Sequence, residues 1–249
     1  MEELNVLTQK AKDLRKSILD LGVEHKDGHI APAYSCVEMV VALYDQILGE
    51  DDKFILSKGH ACLVLFSVLK NKGMNPRISG HPDIQINEGV ECTTGSLGHG
   101  FPIGLGMAFA RKLLDKPGHI YVMMGDGECQ EGSIWESANL ARKYKLDNLT
   151  IIVDHNKYQA LTTVDDVMND VNLAKKFEAF GGNVIEIDGH DFNEVLRSLS
   201  SDSIVPGKIR IVVANTIKGK GVSFMENVPK WHAKLPEGEE LEKAYKELE

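Results

Sequence analysis

The chain has 249 residues, 43% of them apolar and 26% charged, which excludes a disordered or low-complexity chain and suits one α/β domain spanning 1–249. A formal charge of −9 argues against a nucleic-acid partner, because neutralising phosphates takes a basic face, but it leaves room for one small anion in a local pocket. The longest apolar stretches, such as 103–110, fall far short of the roughly 20 residues that cross a bilayer.

The first segment, MEELNVLTQKAKDLRK, is charged and amphipathic, with no apolar export core. Cys36, Cys62, Cys92 and Cys129 form no C-x-x-C pair and read as reduced thiols, neither a disulfide framework nor a zinc site. The expectation is a soluble, cytoplasmic protein with no membrane partner.

Apolar residues at helical spacing predict a first helix over 4–22 that stops at Gly22, and a second over 35–48. A buried strand over 54–56 runs into SKGHA and a helix through Leu69. Pro, Gly and polar residues over 71–94 predict a long loop, and a structureless stretch of that length usually has a function. GSLGHGF then enters an apolar helix ending near Lys116, in which Gly104 and Gly106 read as close-packing positions.

Beyond it strands and helices alternate. Strands are predicted over 120–124, 150–154, 184–187 and 209–214, and helices over 133–144, 173–180 and 192–199. Unbroken β-branched runs between helices predict a central parallel sheet with helices on both faces. The acidic tail 237–249 reads as a solvated terminal helix.

In such sheets ligands sit beyond the carboxyl ends of the strands. Two strand ends carry concentrated polar groups: Gly125-Asp126-Gly127-Glu128, and Asp154-His155-Asn156-Lys157-Tyr158. Asp126 and Asn156 stand 30 residues apart, one strand-helix-strand unit, so a right-handed crossover brings them together. A carboxylate, an amide oxygen and a main-chain carbonyl are hard ligands suited to Mg²⁺ or Ca²⁺. Gly127 lets the main chain approach a phosphate, and the following helix start offers free N–H groups. Taken alone, Gly-Asp-Gly reads as a tight turn; the spacing and the sheet favour a metal-bridged diphosphate.

GDGECQEGSIWE followed by VDHN resembles the thiamine diphosphate signature, Gly-Asp-Gly and then Asn about thirty residues on. ILSKGHA at 55–61, ISGHPD at 78–83, TGSLGHG at 94–100 and TIKGKGVSFMENVPKWH at 216–232 resemble transketolase, in transketolase order and across nearly the whole chain. The similarity covers the N-terminal, diphosphate-binding half of a full-length transketolase, so the chain resembles the N-terminal subunit of a split enzyme. It implies a transferase that moves a two-carbon ketol unit between phosphorylated sugars. It also implies a C-terminal partner subunit, which supplies the pyrimidine-binding domain and the activating Glu, in an α2β2 heterotetramer.

The resemblance implies roles residue by residue. Asp126 and Asn156 would ligate Mg²⁺ (or Ca²⁺ or Mn²⁺) by side chain, and Tyr158 by its carbonyl. Gly127, His60 and Lys218 match diphosphate contacts, and Gly95, Ser96 and Leu97 the loop beside the cofactor. His29, His81 and His232 match histidines lining the sugar channel, with His232 also near the cofactor, and Glu131 an acidic residue between paired active sites. Imidazoles donate and accept near neutral pH, which suits a carbonyl oxygen gaining charge. Lys58 and Lys218 would offset phosphate charge.

The chain also departs from the pattern. Pro32 replaces a cofactor-contacting Ser, Ile30 a Pro, and His99 a Gln. Outside the matched motifs, His25, His119 and His190 read as structural or surface residues, His155 as solvent-facing and Lys220 as a solvated charge. Alternative readings are the α subunit of a thiamine-dependent 2-oxo acid dehydrogenase, a split deoxyxylulose-phosphate-synthase-like enzyme, and a non-catalytic scaffold. SKGHA, SGHPD and the terminal Trp-His favour the sugar enzyme over the dehydrogenase.

Overall fold

A computed structural model describes residues 2–168 and 172–249. The first helix, α1 (Glu2–His25), turns Leu7, Ala11, Leu14, Ile18 and Leu21 inward, one face of a 3.6-residue period. It does not stop at Gly22. A Cβ there would lie 2.9 Å from the Asp27 carbonyl oxygen, so this glycine serves the close return of the next turn. The helix expected over 35–48 is divided: α2 (Ile30–Tyr34) precedes α3 (Val37–Ala42), which widens into a π-turn at Leu43–Ile47. Pro32 lies in the first turns of α2, where a missing N–H is tolerated.

Next come β1 (Lys53–Leu56), a 3-10 turn at Gly59–Ala61 and α4 (Cys62–Asn71). The expected loop follows, broken by a 3-10 turn at Ile86–Glu88 and a bridge between Gln85 and Val90. Thr94 anchors its end, its hydroxyl donating to the Leu56 carbonyl at 2.7 Å. The chain continues through α5 (Gly100–Leu113), β2 (Ile120–Gly125), α6 (Gly132–Lys143), β3 (Leu149–His155) and α7 (Val164–Met168). It closes with α8 (Leu173–Ala179), β4 (Asn183–Asp188), α9 (Phe192–Leu199), β5 (Arg210–Asn215) and α10 (Glu239–Glu247).

The strands pair in parallel in the order β1-β2-β3-β5-β4. Alternate residues of each strand point to opposite faces and feed two cores. Leu56, Met123, Ile152 and Val212 join α1, α3, α4 and α9. Ile55, Val122, Ile151 and Val213 join α5, α6 and α8. On the second face Gly104 of α5 sits so close to the sheet that a Cβ would meet Val122 Cγ2 at 2.4 Å, whereas nothing lies within 4 Å of one on Gly106. Gly104 is therefore a packing position and Gly106 is not.

The tail is not simply solvated. Ala244 and Leu248 are buried in the first core, and the Tyr245 hydroxyl donates to Asp20 at 2.8 Å. Because all strands run the same way, their carboxyl ends lie along one edge of the sheet, where the polar sequences emerge.

Candidate active site

Gly125 of β2 is in register with Asp154 of β3, so Asp126 and Asn156 leave adjacent strands side by side. The Asp126 N–H donates to the Asp154 carbonyl at 3.3 Å, and the Lys157 N–H donates to Asp126 Oδ2 at 2.5 Å. To aim that N–H, Lys157 takes φ 68°, the left-handed conformation that costs an L-residue energy. The Tyr158 N–H then donates to Asn156 Oδ1 at 3.0 Å. Asp126, Asn156 and Tyr158 line one pocket of about 310 Å³. A larger cavity of about 710 Å³ shares Asn156 and Tyr158 with it, but the histidine-rich chemistry belongs to the smaller one.

Beneath these groups lies a buried charge network. Asp154 is fully buried and accepts from Lys58 Nζ, from Thr216 Oγ1, from Ser35 Oγ at 2.6 Å and from Asn156 Nδ2 at 3.0 Å. Burial alone would raise its pKa, but the Lys58 ammonium outweighs this and keeps Asp154 below the usual carboxylate value. Lys58 also donates to the Pro32 carbonyl at 2.9 Å. It lines the same pocket as Asp126 and Lys218, with its ammonium held in place by Asp154. Asp126 is in the opposite state: burial, then the Asp154 charge, push its carboxyl up to about 7.

Four imidazoles converge in the pocket wall. Ring centres lie 5.2 Å apart for His60 and His232, 5.6 Å for His29 and His232, and 6.4 Å for His29 and His81. Burial, followed by the Lys58 charge, puts His60 well below its ordinary pKa. Burial and the Lys218 charge bring His232 down to about 3. Both rings are therefore neutral at physiological pH. Lys218 Nζ donates to His232 Nδ1 at 2.8 Å and to the Gln159 carbonyl at 2.7 Å. His29 Nδ1 donates to Asp27 Oδ1 at 2.8 Å. Burial, then Lys58, lower the Lys218 pKa to about 8.

Among the residues singled out from sequence, Asp126, Gly127, Asn156, Tyr158, His29, His60, His81, His232, Gly95, Leu97 and Lys218 all line this pocket. Gly95 takes φ 139°, and its missing Cβ makes room for the His81 ring, 2.7 Å from where that atom would stand. Ser96 and Glu131 are exposed and do not line it, nor does His99 at the start of α5. Pro32 does. His119 is structural, its Nε2 lying 2.7 Å from Thr150 Oγ1.

Sequence reasoning missed Asp27, Glu128, Asp154 and Gln159. Glu128 accepts from Ser57 Oγ, from the Gly98 N–H at 2.9 Å and from the Gly125 N–H at 3.3 Å, joining the ends of β1 and β2 to the glycine loop. Its place beside Gly-Asp-Gly was the available signal. Gln159 Nε2 is buried in the pocket wall with no hydrogen-bond partner among the described residues.

This donor set suits a metal-bridged diphosphate. No group of three or more His, Cys, Asp or Glu able to hold a metal occurs among the described residues, and none is required. Asp126 Oδ, Asn156 Oδ1 and the Tyr158 carbonyl are hard oxygens that leave further positions to phosphate and water, the habit of Mg²⁺. The under-compensated Asp126 carboxyl asks for a cation, and the orphaned Gln159 N–H and the Lys218 ammonium ask for an anion.

Residues 8–248 match the family described as transketolase, thiamine diphosphate binding domain. The chain is 41% identical to an apulose-4-phosphate transketolase subunit of Actinobacillus succinogenes, over 97% of the chain and 95% of that protein. It is 36% identical to the protein of the same name from Phocaeicola vulgatus, over 99% and 95%. Its fold matches a transketolase from Leishmania mexicana with a TM-score of 0.89 at 24% identity, covering 97% of this chain and 41% of that one. The chain therefore belongs to the transketolase family and is of the subunit type that carries the thiamine diphosphate binding domain.

Proposed function

We propose that the chain is the thiamine diphosphate-binding subunit of a transketolase that moves a two-carbon ketol unit between phosphorylated sugars in the cytoplasm. It acts as one domain, paired in an α2β2 assembly with a second polypeptide that supplies the pyrimidine-binding domain and the activating Glu. The observation that carries this reading is the convergence of Asp126, Asn156, Tyr158, Lys218 and four imidazoles, of which His60 and His232 are neutral, on one pocket. No disulfide joins the four cysteines among the described residues, which agrees with a reducing compartment, and none of the described helices is long and apolar enough to cross a membrane.

When bound, thiamine diphosphate supplies the carbanion and electron-sink chemistry. Asp126, Asn156 and the Tyr158 carbonyl would hold Mg²⁺, while Lys218, the Gln159 amide and the main chain at Gly127 would receive the diphosphate. His29, His60, His81 and His232 would orient the sugar and hydrogen-bond its oxygens. The two relatives from Actinobacillus succinogenes and Phocaeicola vulgatus are named for a phosphorylated ketose, which supports a sugar-phosphate substrate. Glu131 and Ser96, exposed and outside the pocket lining, would meet the partner polypeptide or the cofactor's outer edge.

The test is co-expression with a polypeptide carrying the pyrimidine-binding half, followed by a ketol-transfer assay on several phosphosugars. The pair is active and the chain alone is not. Transfer to a lipoyl domain instead would establish the dehydrogenase reading, and no turnover with any such partner would leave a scaffold.

A further inference from the structure

The segment 216–221 leaves β5 and carries Lys218 to the pocket, and its main chain is gripped from three sides. The Ile217 N–H donates to Nε2 of His190 at 2.9 Å. The Gly219 N–H donates to the Ala31 carbonyl at 3.0 Å. The Lys220 carbonyl accepts from Arg15 Nε at 2.8 Å. A ring nitrogen that accepts a main-chain N–H carries no proton, so the neutral His190 ring keeps its proton on Nδ1. That nitrogen lies 3.0 Å from Glu38 Oε2, and a carboxylate, which only accepts, enforces this tautomer. Glu38 is in turn bound by Arg15 Nη2 at 2.8 and 2.9 Å.

We propose that His190 is a positioning residue for Lys218: its bare Nε2, held in that state by Glu38, fixes the main chain at Ile217 and thereby where the Lys218 ammonium meets a diphosphate. His190 does not line the cofactor pocket and acts only through the segment. The need for such an anchor follows from the side-chain contacts of Lys218. Its hydrogen bonds to Gln159 and His232 must loosen when the ammonium turns to a phosphate, whereas an anchor on the main chain is kept. Without it, ordering the segment would draw on the binding energy.

The inference rests on the proposed function, and the test separates the two. Glutamine at 190 places an amide oxygen where Nε2 stands and keeps the acceptor for Ile217. Asparagine places its amide nitrogen near Nδ1 and keeps only the bond to Glu38. In the reconstituted pair, His190→Asn raises hydrogen–deuterium exchange of the Ile217 amide by about tenfold and weakens thiamine diphosphate binding with Mg²⁺ by a similar factor, while His190→Gln stays within about twofold of the unsubstituted protein on both. Equal behaviour of the two variants overturns the proposal. Imidazole ¹⁵N spectra of the unsubstituted chain give a second reading that needs no variant to fold: a proton on Nδ1 with bare Nε2 supports it, and the reverse tautomer overturns it. A reconstituted pair that takes up no thiamine diphosphate defeats the proposed function, while exchange and tautomer still decide whether His190 fixes Ile217.

Discussion

Asn156 Nδ2 donates to Asp154 Oδ2 at 3.0 Å, and this bond decides which end of the amide faces Tyr158: the oxygen. Asp154 also neutralises Lys58, which is 1% exposed. Asp154→Ala leaves that ammonium buried and unpaired, so urea unfolding should show a loss of about 3–5 kcal/mol. A loss below about 1 kcal/mol would mean that the pair adds nothing beyond its cost of burial.

Asp126→Ala should abolish Mg²⁺-dependent binding of thiamine diphosphate while the far-ultraviolet circular dichroism is unchanged. The ligand-free chain gives up little, because burial and Asp154 already push this carboxyl to about 7. Titration calorimetry showing an affinity equal to that of the unsubstituted chain would remove Asp126 from the metal site.

His232→Ala in the reconstituted pair should slow turnover by about 10²-fold, the scale of one hydrogen-bonding or proton-transferring group. The unfolding free energy should move by less than about 1 kcal/mol, because the ring is half-buried in a pocket wall rather than in the core. An unchanged kcat places His232 outside the reaction.

Stability should fall in acid partly through Glu38. Burial pushes its carboxyl up, but the hydrogen bond from His190 and the charge of Arg15 outweigh this, and the net pKa is below the ordinary 4.5. A carboxyl depressed in the folded state adds stability that is complete above its unfolded pKa and is lost as pH falls through the folded one. Unfolding followed from pH 7 downward should therefore decline below about pH 4.5, and Glu38→Gln should lower stability at pH 7 and flatten that decline. Parallel curves for the two proteins would show that Glu38 is not the group responsible.

Lys157→Gly should raise the unfolding free energy by up to about 1 kcal/mol, because glycine accepts φ 68° without the clash an L-residue meets. A loss of stability would show that the lysine side chain contributes more than its backbone strain costs.

The sheet was legible because its strands are unbroken β-branched runs. The adjacency of Asp126 and Asn156 was legible because one strand-helix-strand unit has a near-constant length, which brings the two strand ends side by side. The groups holding those residues were not. Asp154 pairs with Lys58, 96 residues away in sequence, and Glu38 meets His190 across 152 residues; no local spacing announces such partners. Gly22 read as a helix stop because glycine signals both termination and close approach, and only the return of Asp27 tells them apart. The tail read as solvated because its acidic residues outnumber the Leu241, Ala244, Tyr245 and Leu248 stripe that docks it.

The partners of two pocket histidines divide their labour. Asp27 only accepts, so it keeps a proton on Nδ1 of His29 and leaves Nε2 as the position where that ring exchanges hydrogen with a ligand. Lys218 only donates, so it occupies the Nδ1 lone pair of His232 and commits that neutral ring to an outward Nε2–H. A keto oxygen lodged between these rings, 5.6 Å apart, finds a donor on one side alone, whereas an alcohol there satisfies both. Were the proposed sugar to bind there, the cleft would favour the tetrahedral, hydroxyl-bearing form of its carbon over the planar carbonyl form, a bias set by an aspartate and a lysine that need never touch the sugar.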